Sequence, residues 1–141
     1  MSLFNAFRVS STALQAQSVR LNAVASNMAN ADTVSATAED AYRARKVVFE
    51  AARTTTAAGV NGQGLAAEVR VRELTQDPAA PQQRYEPGNP MANADGFVFA
   101  STVNPAEEMV DLIAASRSYQ TNADVMNTMK TLMLKTLQIG Q

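Results

Sequence analysis

NPAEEMVDLIAASRSYQTNADVMNTMKTLMLKTLQIG, residues 104–140, carries both of its own boundaries. Asn104 can cap a helix, Pro105 suits the first helical position, and Glu107 stands three residues after the cap. Glu107, Glu108 and Asp111 place negative charge at the positive end of the helix dipole, and Lys130 and Lys135 lie toward the other end. No Gly or Pro interrupts the run until Gly140, a suitable stop. Leu112, Tyr119, Met126 and Met133 recur every seventh residue as large d-type positions, with Met109, Ser116, Ala123, Lys130 and Leu137 as a-type partners. This spacing predicts a long helix with a coiled-coil seam.

The other end of the chain repeats the design. Phe7, Leu14, Leu21 and Met28 fall seven apart, and Phe4, Ser11, Ser18 and Ala25 lie three residues before each. A helix from about residue 3 to 31 is expected to stop at Asn30-Ala31-Asp32-Thr33, where polar side chains compete for backbone hydrogen bonds. Both stripes alternate small a residues with large d residues, so the two helices are expected to pack antiparallel, one large set over the other.

Between these runs lie five of the six glycines, together with Pro78, Pro81, Pro87 and Pro90. Tyr42–Phe49 (YRARKVVF) and Leu65–Leu74 (LAAEVRVREL) have strand character, GVNGQG at 59–64 reads as the loop joining them, and Phe97-Val98-Phe99 reads as a third short strand after the turn-rich YEPGNPMANADG. Two or three strands of this size are marginal alone. The expected fold is therefore mainly α: long N- and C-terminal helices pair as an antiparallel coiled coil, with a small β-hairpin and loop insert between them. The expected divisions are an N-terminal helix within 1–33, an insert at 34–103 and a C-terminal helix within 104–141.

Composition narrows the function. Of 141 residues, 46% are apolar, and 12 Lys and Arg balance 13 Asp and Glu, which argues against both wholesale disorder and general nucleic-acid binding. The chain has no Cys and no His, so thiolate sites, the commonest metal ligand and the commonest general base are missing. Asp77, Glu86 and Asp95 stand about nine residues apart, too far for a hard-cation loop, and read as solvated charge. Gly59, Gly62 and Gly64 lack the Lys-Ser/Thr of a phosphate loop. Arg43, Arg45, Lys46 and Arg53, with Arg70 and Arg72 across a strand pair, form the one basic cluster, which an alternating solvent face explains as well as an acidic partner does. No catalytic residue, cofactor or metal site is expected. The opening MSLFNAFRVSSTALQ lacks the basic and apolar regions of a secretory signal, and no stretch is long and apolar enough to insert in a membrane. Helical seams at both ends of a chain with little core between suit a subunit whose neighbours complete it. The seam positions are Phe4, Phe7, Leu14, Leu21, Met28, Met109, Leu112, Tyr119, Met126, Met133 and Leu137.

Three stretches also carry a family resemblance. Arg20–Thr33 (RLNAVASNMANADT) is similar to the N-terminal signature of bacterial flagellar axial proteins, a basic-Leu start followed by an Ala-x-Asn-x-Ala-Asn-x-x-Thr run. Tyr85–Val98 (YEPGNPMANADGFV) and Asn104–Tyr119 (NPAEEMVDLIAASRSY), with Gln120 and Asn122 beyond, resemble the basal-body rod proteins, and the short chain suits a proximal-rod member. The family usually has His where Asn89 stands, and a Gly-Gly-Pro-Tyr-Arg-Arg approach where this chain has Glu39–Arg45. The resemblance implies a structural subunit of the rod, a shaft crossing the periplasm that transmits torque from rotor to hook. It also implies export through the flagellar type III apparatus without a cleaved signal. The implied partners are other copies of the chain, other rod proteins, the rotor ring and hook-basal-body proteins. A small coiled-coil adaptor or export chaperone, binding one partner helix, is the alternative.

Overall fold

A computed structural model describes residues 3–54 and 66–139. Two long helices flank five strands: α1 (Leu3–Ala29), β1 (Val34–Ser35), β2 (Arg45–Thr54), β3 (Ala66–Gln76), β4 (Gln83–Tyr85), β5 (Phe97–Ala100) and α2 (Pro105–Ile139). The GVNGQG loop anticipated at 59–64 lies outside the described residues.

The mainly α coiled coil with a small hairpin is not what forms; the fold is mixed, with two antiparallel sheets. Two features of the sequence explain the correction. β2 and β3 run to 10 and 11 residues, beyond the segments expected at 42–49 and 65–74, and pair from Arg45↔Gln76 to Thr54↔Ala66. The register slips between Val48 and Phe49, and such a bulge bends the ribbon and re-aims its side chains. The ribbon then lies against α1, where Thr12 Oγ1 accepts a hydrogen bond from Val69 N at 3.2 Å, Arg8 pairs with Glu68, and the Arg20 guanidinium sits 5.7 Å from the Phe49 ring. Small residues on α1 face that ribbon: Ala13 lines one hollow with Phe49, Ala51 and Val69, and Ala23 another with Arg45 and Val47. Thus α1 packs against a sheet as well as against α2.

The strand expected at Phe97–Phe99 does not join this ribbon. β5 forms the centre of a second sheet, ordered β1-β5-β4, with Val34 opposite Ala100 and Tyr85 opposite Phe97. Its Val98 is fully buried, and Ala41, Ala44 and Val103 join it. The middle of the chain therefore supplies core of its own.

The helix ends have local causes. Beyond Ala29 the chain turns through Asn30 N→Asn27 O and Thr33 N→Asn30 O bonds, and the Asn30 amide donates to the Ser26 carbonyl at 2.8 Å. At the start of α2, Asn104 Oδ1 accepts from Ala106 N at 3.1 Å, satisfying a donor with no partner within the helix. Asn27 reaches Glu108 and Arg20 reaches Asp111, so the end of α1 lies beside the beginning of α2 and the two run antiparallel.

Candidate functional site

The end of α1, the start of β2 and the first turns of α2 meet at one buried side chain. Asn27 is 1% exposed, and its amide is fully used. Nδ2 donates to the Arg45 carbonyl and to Glu108 Oε1, both at 2.9 Å. Oδ1 accepts from Arg45 N at 2.9 Å and from the Tyr42 hydroxyl at 3.1 Å. Having given its proton to Asn27, that hydroxyl accepts from Ser26 Oγ, also 3.1 Å away. Ala44 N donates to Thr102 Oγ1 and Thr102 N to the Tyr42 carbonyl, which ties the approach to α2 into the same knot. An Asn in a helix interior is a poor helix former; here each of its polar groups is exchanged for a tertiary bond.

Glu108 is the second buried polar residue of the junction. One carboxylate oxygen holds Asn27, while Oε2 has no hydrogen-bond partner and lies beside a pocket of about 180 Å³ lined by Arg20, Arg45, Lys46 and Asp111. Burial holds its pKa above the ordinary carboxylate range, against the lowering effects of the Asn27 amide and the more distant Lys46. Sequence reasoning assigned Glu108 only to the helix dipole and quoted Asn27 without giving it a role. The signal for Asn27 was present: an amide, rather than an apolar residue, stands one position before the Met28 stripe.

The seam residues fall into two groups. Phe7, Leu14, Leu21, Met28, Leu112, Met126 and Met133 are half-buried, and Tyr119 is somewhat more exposed. Phe4, Met109 and Leu137 stand 72%, 57% and 70% exposed. Along α2 the deepest residues are Glu108 and Ala115, and Leu112, Ser116, Ser118, Asn122, Ala123, Met126, Met129 and Met133 are half-buried. On α1 the deepest residues are small or polar: Ser10, Ala16, Ala23, Val24 and Asn27. Val110, Ile113, Leu132 and Leu134 add to the exposed apolar surface of α2.

Little else gathers into a site. The basic residues of the ribbon are dispersed: Arg70 stands opposite Glu50 and beside Glu68, and Lys46 reaches toward Asp77 at 4.0 Å. Asn89 donates to Glu86 at 2.9 Å and accepts from Met91 N at 3.0 Å. Among the described residues no three Asp or Glu side chains converge to hold a metal, and no helix is long and apolar enough to cross a membrane. The arrangement offers a rigid junction and a long helix with uncovered apolar side chains.

Comparison with known proteins gives this surface a context. Residues 7–37 match the family described as "Flagella basal body rod protein", and residues 94–139 match "Flagellar basal body rod FlgEFG protein C-terminal". The chain is 49% identical over 141 residues to the flagellar basal-body rod protein FlgC of Yersinia enterocolitica. It is 45% identical over the same length to the proteins of that name from Escherichia coli O157:H7 and Salmonella typhimurium, and in all three cases both chains are covered completely.

Proposed function

The chain belongs to the FlgC family of flagellar basal-body rod proteins, and from that premise we propose that it is a non-enzymatic structural subunit of the proximal rod. It assembles helically with other rod proteins and copies of itself, through its terminal helices, into a hollow shaft that carries torque from rotor to hook. It reaches the periplasmic space through the flagellar type III apparatus without a cleaved signal, and its rod meets the rotor ring and hook-basal-body proteins.

The observation that carries this reading is the uncovered apolar surface of α2, in a chain identical at nearly half its positions to rod proteins along its whole length. Side chains such as Val110, 67% exposed, and Leu137 are costly to leave in water at about 25 cal/mol per Å², and neighbouring subunits would remove that cost. Torque is then shared over many packed side chains, and the hydrogen-bonded junction at Asn27 holds the helices at a fixed angle to the sheets. The test is an in-frame deletion of the gene, followed by swimming assays and mass spectrometry of purified basal bodies. Loss of swimming, restored by the wild-type chain and accompanied by its recovery in the rod fraction, is expected. Normal swimming of the deletion strain, or absence of the chain from wild-type basal bodies, would overturn the reading.

A further inference from the structure

Resting on that reading, we propose that the outward face of the first turns of α2, Met109, Val110 and Ile113 flanked by Glu107 and Asp111, seats the basic, Leu-rich C-terminal end of a long helix from an adjoining rod subunit. The apolar residues of this face are more than half exposed, and Asp111, whose contact with Arg20 spans 3.9 Å, leaves its charge open to a second partner.

The occupant is argued from the opposite end of the same helix. From the Asn27–Glu108 contact, α1 extends 24 residues back to Leu3 and α2 extends 31 residues on to Ile139. At 1.5 Å per residue the last turns of α2 pass the start of α1 by about 10 Å. Those turns carry Leu132, Leu134 and Leu137, all at least half exposed, with Lys130 and Lys135 among them. At about 100° per residue the three leucines span roughly 200° of circumference, more than one neighbouring helix covers. The two apolar patches of α2 are thus at opposite ends, one acidic and one basic, separated by the polar outward residues Arg117, Gln120, Thr121 and Asp124. Unlike patches that fit each other make a head-to-tail contact, which builds a ring where its rotation closes and a helical filament where it does not. A helix end of the chemistry this chain itself carries complements the acidic patch in charge and matches it in exposed apolar side chains.

The test places a photo-crosslinking benzophenone amino acid at position 113 of the full chain in swimming cells. Basal bodies are purified and the adduct is sequenced by mass spectrometry. The expected partner is the Leu- and Lys-bearing C-terminal end of a rod subunit's helix, and Glu107→Lys with Asp111→Lys should cut the yield by about tenfold. An adduct to a ring protein, to a strand ribbon or to an export component would overturn the proposal. So would the absence of any adduct from basal bodies that contain the chain. If those basal bodies lack the chain, the rod reading itself falls and this contact falls with it.

Discussion

Asn27 shows how much a single amide can hold. Asn27→Ala leaves Arg45 N, the Arg45 carbonyl and Glu108 Oε1 without their partner in a buried junction, and the Tyr42 hydroxyl with Ser26 Oγ alone. Orphaned buried polar groups cost about 1–3 kcal/mol each before relaxation, so a loss of about 3–5 kcal/mol is expected, read as a lower urea midpoint at unchanged slope. Glu108 gives the pH dependence its sign. A carboxyl whose folded pKa is raised binds its proton more tightly in the folded chain. Its contribution is therefore most favourable below the ordinary carboxylate pKa and is lost as pH rises through the raised value. Glu108→Gln should remove that component, so the stability difference between variant and wild type grows in the variant's favour as pH increases across this window. Glu86, held below its ordinary value chiefly by the Asn89 amide and further by Arg84, acts in the opposite sense. Subtracting the two pH profiles isolates Glu108, and a difference that stays flat would remove the burial argument. Gly96 is the remaining special residue. Its φ of +80° belongs to the left-handed region, and an added Cβ would stand 2.9 Å from the Tyr85 ring and 3.2 Å from Pro87. Gly96→Ala should cost about 1–2 kcal/mol for the backbone alone, visible as a lower melting temperature and a displaced Tyr85 ring signal.

At the scale of elements, the terminal runs and the middle were unequally readable. The bounds of α2 follow from a cap, a proline and a terminal glycine, signals that act locally and need no knowledge of neighbours. What packs against α1 was not readable in the same way, because an alanine face permits an approach without naming what approaches. Ser11, Ser18 and Ala25 were read as the small positions facing a partner helix, whereas the buried small residues are Ser10, Ala16 and Ala23 and the β2–β3 ribbon also lies on α1. The bulge at Val48/Phe49 further breaks the alternation by which an inward strand face is recognised. The hydrogen bonds of Asn27 join residues 18 and 81 positions away, a range over which periodicity says nothing. This tight approach to α1 carries its own prediction. Ala16, 3% exposed, has little room for more atoms, and overpacking of a filled site costs about 1–3 kcal/mol. Ala16→Leu should therefore destabilise the folded chain by that amount, measured by urea unfolding, while Ser18→Leu at an exposed position of the same helix should not.

For the whole molecule, covered and uncovered surface are arranged along its length. Near the Asn27 junction α1, α2 and both sheets converge, whereas the far end of α2 has outrun α1. Five side chains of α2, at Thr121, Asn122, Thr128, Thr131 and Thr136, bond back to the carbonyl four residues earlier, a habit that slightly weakens and bends helices. Met126, Met129 and Met133 make the covered side of that stretch, and flexible thioethers specify packing loosely. Ordering each residue costs about 1–2 kcal/mol of backbone entropy, which a helix half wet on every turn recovers only in part, and isolated helices of about 15 residues are marginal in water. The free subunit should therefore be graded: folded around residues 20–29 and 105–116, and frayed from about residue 125 onward until neighbours cover it. Amide exchange on the purified monomer and on intact basal bodies checks this directly. In the monomer, protection is expected at the junction and lost toward Ile139; in the rod it should extend through both helices. Uniform strong protection over 105–139 in a verified monomer would show that α2 needs no neighbour to be stable, and the link between assembly and folding would then have to be abandoned.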